Sequence, residues 1–344
     1  MTTVPDVEGT GSLRGRLVVA VTTLVSRLPE APLVALAEAA GEVYYRLAPR
    51  RAAQARANLR RVCEGLAAGG RGTPLARRAA TDPDALELIV RRAFRHLVRY
   101  YLEVAQVGAL NLADAIDRID VEDPETVREA LVPGRPVVVV GMHYGAIELP
   151  TVILSNLVGH SVMAPMELLS DPGLRRWFLE TRERVGVRIV PIVDARRTLL
   201  RALKGGESVG MVADRDLLHN GLPTPFFGHP APIPAGPALL AIEAGVPICV
   251  ASVRRIANRR YRARLVVIHP PETGTRRERM TALTDAMVAE FEEILARGPE
   301  QWWGSFHPIW PDLAMGGAAA GAAATGGTTA PGTPAAPATP GDAA

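Results

Sequence analysis

The chain has 344 residues, 48% hydrophobic and 22% charged, enough apolar mass for a sizeable core and too much for global disorder. A net charge of +3 excludes a dedicated nucleic-acid binder. Two cysteines, Cys63 and Cys249, exclude a disulfide framework and a four-cysteine zinc site. One disulfide stays open, and reduced thiols on a cytoplasmic face are the simpler reading. Aromatic residues are only 5%, so burial must come from Ala, Val, Leu and Ile. Lys204 is the single lysine and every other basic residue is arginine, a coding bias that makes abundant arginine no evidence of phosphate recognition. At this length two domains or one large α/β domain are both allowed.

Charge is unevenly placed. Residues 1–110 carry 16 Arg and 10 acids, a net of +6, and the remainder nets −3. The run Leu17 to Ser26 is uncharged and flanked by Arg14, Arg16 and Arg27. It is too short for a spanning helix. We read it as an interfacial anchor with arginines toward anionic headgroups. A helix pair belonging to the core and a signal peptide are the alternatives, the latter lacking a small-x-small cleavage site. The predicted organisation is a flexible start over 1–14, a helical membrane-associated region over 15–110, an α/β core over 111–313, and a disordered low-complexity tail over 314–344.

In chain order, the pattern is helical from Gly15 to Leu47 and from Ala52 to Leu66. It is loop-like from Gly65 to Asp84. Ala85 to Val107 is a long helix with apolar residues near the 3.6 period. After Asn111 strands are predicted at Arg118–Glu122, Pro136–Gly141, His160–Ala164, Val187–Pro191, Ser208–Val212, Pro247–Val253 and Arg262–Ile268. Pro124 to Leu131 is a helix with Asp123 as N-cap candidate. Further helices are expected at 146–157, 172–186, 195–204, 236–244 and 276–297. Alternating strands and helices predict an α/β fold: a mixed, largely parallel central sheet flanked by helices on both faces, with N-terminal interfacial helices.

His143 is the one histidine of seven directly after a strong buried strand and before a helix. Ligands bind at the carboxyl ends of strands in such sheets. Gly141 and Gly145 bracket it and permit a tight turn. Glu148 lies five residues on, where it can meet the imidazole if His143 sits in the loop and Glu148 in the helix. An imidazole general base wants a carboxylate that fixes its tautomer. The alternative is a histidine that merely caps a helix. No Ser or Cys neighbours it in sequence, which favours a base acting on a substrate hydroxyl over a covalent triad. Gly206-Glu207-Ser208-Val209-Gly210 matches the nucleophile-elbow pattern, but it lies between a helix and a strand, the inverse of the required order. Asp214, Arg215 and Asp216 end a buried strand, where charges are costly unless paired. Asp214 can therefore be a second carboxylate at the same sheet edge, or part of a solvated turn with an Arg215–Asp pair. Pro225-Phe226-Phe227-Gly228 and the loop entering a helix at Gly236 follow. The free N–H groups there could hold an oxyanion or phosphate. No metal-spaced His/Cys cluster is present, and no metal is expected.

Together H-x4-E after a strand, Ala213-Asp214-Arg215-Asp216-Leu217, Phe226-Phe227-Gly228 and Pro234-x-Gly236-Pro237-Ala238 resemble the bacterial lipid A late acyltransferase family. Within it they are similar to the phosphatidylinositol mannoside acyltransferases. The likeness covers roughly residues 15–312, including Arg56, Asn58-Leu59 and the Phe94–Glu103 helix. It implies acyl transfer from a fatty acyl thioester to a sugar hydroxyl at the inner membrane leaflet, with an apolar acyl-chain groove. The expected partners are acyl-CoA or an acyl carrier protein thioester as co-substrate, a glycolipid acceptor and the cytoplasmic face of the cell membrane. No bound cofactor is implied. Carried over by position, His143 is the base, Glu148 holds the acid place of the motif, and Asp214 falls at a charge-relay acid. The resemblance favours Asp214 as the acid that orients His143, with Glu148 in support. Arg182 or Arg184 matches a family arginine. Arg215, Phe226, Phe227, Gly228 and Gly236 are expected at the substrate. Tyr144-Gly145-Ala146-Ile147 departs from the family's usual Asn and Trp. Alternatives are a lipid A or lysophospholipid-type acyltransferase, a Ser208 thioesterase or hydrolase, and a membrane scaffold with a degenerate site.

Overall fold

The computed structural model describes residues 12–25, 30–107, 112–148, 154, 162–167 and 170–315. Residues 1–11 of the start expected to be flexible over 1–14, most of the helix expected at 146–157, the beginning of the strand expected at His160 and nearly all of the tail lie outside them, and the first helix already begins at Leu13.

Five helices come first: α1 (Leu13–Val25), α2 (Glu30–Leu47), α3 (Pro49–Ala68), α4 (Pro74–Ala79) and α5 (Pro83–Val107). α5 is the spine of this layer. Its buried side, Leu86, Ile89, Val90, Ala93, Phe94 and Leu97, repeats at helical spacing and enters the main core. α2 lies along it, burying Leu33, Val34 and Ala37, with Gly41 against the Arg95 backbone. Two arginines of α5, Arg91 and Arg95, share Glu42 of α2. The stretch predicted as loop over Gly65–Asp84 contains α4. Thr73 caps that helix by accepting from the Ala76 N–H at 3.1 Å, and Pro74 sits where no N–H is needed.

Next come α6 (Leu112–Arg118), β1 (Ile119–Val121), α7 (Pro124–Ala130), β2 (Val138–Gly141), β3 (Val162–Met166), α8 (Pro172–Arg184), β4 (Val187–Pro191), α9 (Ala195–Lys204) and β5 (Val209–Val212). The last group is β6 (Leu222–Phe226), β7 (His229–Ile233), α10 (Gly236–Ala244), β8 (Ile248–Ala257), β9 (Arg260–Ile268) and α11 (Arg276–Ala296). Among the described residues seven strands form one sheet in the order β1-β9-β8-β2-β5-β3-β4, in which only the β8–β9 pair is antiparallel. Val138, Val140, Val209, Ile248 and Val250 point into the main core with α3, α5, α9, α10 and α11. Alternate residues Val137 and Cys249 face the other side, beneath α7. That two-sided burial is why these strands read as continuous apolar runs. The predicted α/β class is the observed one.

The β6–β7 hairpin was not legible in the sequence. Its prolines stand opposite one another, Pro223 with Pro232 and Pro225 with Pro230. The ribbon therefore takes its ladder bonds from the residues between them, and the missing N–H groups cost nothing. Both cysteines are buried and unpaired, and burial pushes their thiols up to about 12.

Candidate active site

Strand register builds the site. β2 and β5 are parallel neighbours, with Gly141 opposite Val212. His143 and Asp214 each follow two residues after those partners. They emerge side by side although 71 positions apart, and His143 Nδ1 lies 2.6 Å from Asp214 Oδ1. The other Asp214 oxygen accepts the indole N–H of Trp302 at 2.8 Å. Asp214 is 1% exposed, whereas 18% of the His143 side chain reaches solvent. Burial pushes the Asp214 carboxyl up, but the facing imidazole and the bonds from His143 and Trp302 outweigh it and hold the group below its ordinary value. The carboxylate thus fixes Nδ1 as the bonded nitrogen and leaves Nε2 for a substrate proton.

Glu148 is placed elsewhere. It forms a two-pronged ion pair with Arg182, Nη2 to Oε1 at 2.7 Å, and Nη1 pairs with Oε2. The Tyr100 hydroxyl donates to the same carboxylate at 3.2 Å. Both partners are buried, Glu148 at 6% exposure and Arg182 at 5%. The guanidinium also lies 4.4 Å from the Phe178 ring centroid. Of the two candidate arginines, Arg182 faces into the fold, and Arg184 is exposed at the end of α8. Of the two acids, Asp214 touches the imidazole.

The aromatic pair expected at the substrate lies in the main core. Phe226 and Phe227 are buried, and Phe226 stacks on Trp310 with centroids 5.2 Å apart and meets Trp302 edge-on at 6.0 Å. They pack as core behind Trp302. Gly228 turns the β6–β7 hairpin at φ 75°, and Gly236 opens α10 after an N-cap, Ala235, that has no capping side chain. Arg215 is half-buried beside Asp214 and forms no ion pair with Asp216, which bonds the N–H groups of Asn220 and Gly221 instead. Ser208 stands at the opposite end of β5 from Asp214. It is buried, and its hydroxyl accepts from the Val137 N–H at 3.2 Å. The elbow reading fails on this position.

The segment Gln301–Gly304 was missed, and it straps the site together. The Gln301 carbonyl accepts from the Gly145 N–H at 3.0 Å, and its side chain pairs with both the N–H and carbonyl of Arg255 at 2.9 Å. Arg255, held by Glu103 at 2.7 and 2.6 Å, donates to the Gly145 carbonyl at 3.0 Å. Trp303 meets the His143 ring edge-on at 4.6 Å and stacks on Tyr100 at 4.2 Å. The Gly304 N–H donates to the His143 carbonyl at 3.1 Å. One signal was available: two of four tryptophans are adjacent in a chain poor in aromatics. A Cβ on Gly304 would collide with Asp214 Oδ2 and the Trp302 indole nitrogen. Gly304→Ala is therefore expected to displace Asp214 and lower turnover at least about tenfold, with far-ultraviolet circular dichroism unchanged. Turnover at the parent level would show that the strap does not set the Asp214 position.

Known proteins resemble this chain over most of its length. The chain is similar to the phosphatidylinositol mannoside acyltransferase of Mycolicibacterium smegmatis, 29% identical over 66% of this chain and 75% of that protein. It is 26% identical to the protein of that name from Mycobacterium tuberculosis, over 59% of this chain and 65% of the relative. The family model described as bacterial lipid A biosynthesis acyltransferase matches residues 11–311, so the chain belongs to that acyltransferase family.

Proposed function

We propose that the protein moves a fatty acyl chain from an acyl thioester such as palmitoyl-CoA to a sugar hydroxyl of a glycolipid, a phosphatidylinositol mannoside. The observation that carries this reading is the His143–Asp214 pair at the sheet edge. Among the described residues no serine, threonine or cysteine is bonded to the imidazole, which suits a base acting directly on a substrate hydroxyl. His143 Nε2 takes the acceptor proton as the sugar oxygen attacks the thioester carbonyl carbon. The C–S bond then breaks, and the imidazolium returns the proton to the departing thiolate, leaving an ester and a thiol. Asp214 holds the ring and stabilises the imidazolium. The acceptor is proposed from the names of the relatives. Mass spectrometry of purified protein with a mixed glycolipid extract and palmitoyl-CoA tests it. A mannoside heavier by one palmitoyl group is expected, and a free fatty acid as sole product would mean a hydrolase.

The proposed place of action is the cytoplasmic face of the membrane. No helix among the described residues is long and apolar enough to cross a bilayer. Leu13 and Leu17 on α1 and Leu36, Val43 and Leu47 on α2 are exposed. Leu36, Val43 and Leu47 share one side of α2, away from the buried Leu33, Val34 and Ala37. An apolar patch of this kind beside basic residues suits an anionic bilayer. Changing Leu36, Val43 and Leu47 together to Asp is expected to remove most binding to anionic vesicles without unfolding the chain. High salt should release the parent only partly, because screening acts on charge and not on buried leucine. Equal pelleting of parent and variant would place the bilayer contact elsewhere.

A further inference from the structure

Trp302 gives its indole N–H to a carboxylate. The acceptor is Asp214 Oδ2 at 2.8 Å, and both partners are fully buried. Trp310, in the same aromatic cluster, gives its N–H to the Phe226 backbone carbonyl at 3.2 Å, an ordinary contact of the fold. Trp302 is also fixed in place. Phe226 and Trp310 meet its ring edge-on at 6.0 and 6.2 Å. Gly304 closes over the indole nitrogen and Oδ2 so tightly that no Cβ would fit. Among the described residues only His143 and Trp302 bond to the Asp214 carboxylate.

A buried carboxylate shared by two donors divides its charge between them. A hydrogen bond to an ionised group is about twice as strong as a neutral one, and it gains further strength out of water. The share that the indole takes is lost to the imidazole. The same bond keeps Oδ2 occupied, so the carboxylate has no cause to turn away from Nδ1 toward another donor. Other charges near the pair leave this division in place. Arg215 follows Asp214 in sequence and attracts it. His307 is held neutral: burial, then the charges of Arg215, His143 and Arg51, push its imidazole down to about 3. Glu148 and Arg182 neutralise one another, and the Tyr100 hydroxyl donates to that same glutamate.

We infer that Trp302 is a positioning residue for the proton transfer: its indole holds Asp214 against His143 Nδ1 and moderates the pull of the carboxylate on the imidazole. This deepens the acyl-transfer reading and rests on it only where turnover is measured.

The full chain and its Trp302→Phe and Trp310→Phe variants test this. Phenylalanine keeps a packed ring at either place and removes one N–H. The pH dependence of kcat/KM is measured with palmitoyl-CoA and a phosphatidylinositol mannoside. Without the indole the carboxylate pulls harder and favours the imidazolium. The acid limb of the Trp302→Phe profile should therefore move up by about half a pH unit or more. Its plateau kcat should fall about three- to tenfold, and KM should change by less than about twofold, since no substrate contact is removed. The Trp310→Phe limb should stay with that of the parent. An unmoved or lowered limb in Trp302→Phe, or an equal shift in Trp310→Phe, overturns the inference and leaves Trp302 a packing residue. Should Trp302→Phe fail to fold, the parent still decides. Proton NMR follows its indole N–H resonances against pH, with that of Trp302 assigned by elimination using Trp177→Phe, Trp303→Phe and Trp310→Phe. A proton arriving on His143 draws on Asp214 and weakens the indole bond, so the Trp302 resonance should move upfield in a step that is absent from His143→Ala. A resonance that ignores pH, or moves equally in His143→Ala, overturns the inference without any use of substrate. A His143-dependent step in a protein that makes no acyl product leaves the role of Trp302 standing and removes the acyl-transfer reading.

Discussion

Replacing His143 by alanine is expected to lower acyl transfer about 10²- to 10⁴-fold, the ordinary contribution of a positioned base, with the unfolding midpoint near that of the parent. The ring lies in a loop at a strand end and is partly exposed, so its packing contribution is small. Asp214→Asn should be nearly as severe, for a reason specific to this site. The carboxylate accepts from two donors, His143 and the Trp302 indole. An amide offers one acceptor oxygen and one NH2 group. If the oxygen serves Trp302, the NH2 group faces His143 and drives the proton onto Nε2, the nitrogen that must be empty to act as a base. If the oxygen serves His143, two donors confront each other at Trp302 in a buried place. Steady-state kinetics with circular dichroism on both variants check this. A His143→Ala protein with more than about a tenth of parent activity would contradict a base of the stated size.

Glu148 should separate from Asp214 in kind. Removing one member of a buried ion pair strands the other charge, which costs about 3–5 kcal/mol. Glu148→Ala leaves the Arg182 guanidinium facing Tyr100 and Phe178 with no carboxylate. The expected result is a large loss of unfolding free energy by chemical denaturation, with activity falling in step with the folded fraction. Replacing the pair by packed apolar residues, Glu148→Leu with Arg182→Met, should recover most of that stability. The discriminating variant is Glu148→Gln, which keeps the shape and removes the charge. If it abolishes kcat at unchanged stability while Asp214→Asn stays active, Glu148 acts on the chemistry and Asp214 is not the orienting acid.

Periodicity and residue type alone determined much of this molecule. Buried parallel strands must be apolar on both faces, so Val137–Val140 announces itself. The long α5 shows its core stripe at helical spacing. His143 was legible because a glycine-bracketed histidine after such a strand has few structural reasons to be there. What the tertiary structure decided is pairing. H-x4-E suggests that Glu148 serves His143, since both lie in one short stretch. Register instead brings Asp214 in from the next strand, and Glu148 turns to Arg182 from a helix 34 positions later. Choosing Arg182 over Arg184 needed the helix to show which one faces inward. Phe226 and Phe227 are expected at the substrate only through the family resemblance, and packing places them in the core behind Trp302. The Gln301–Gly304 strap lies outside every local pattern. Its residues act through contacts to partners between 46 and 203 positions away, and such chain-distant contacts leave no periodic trace.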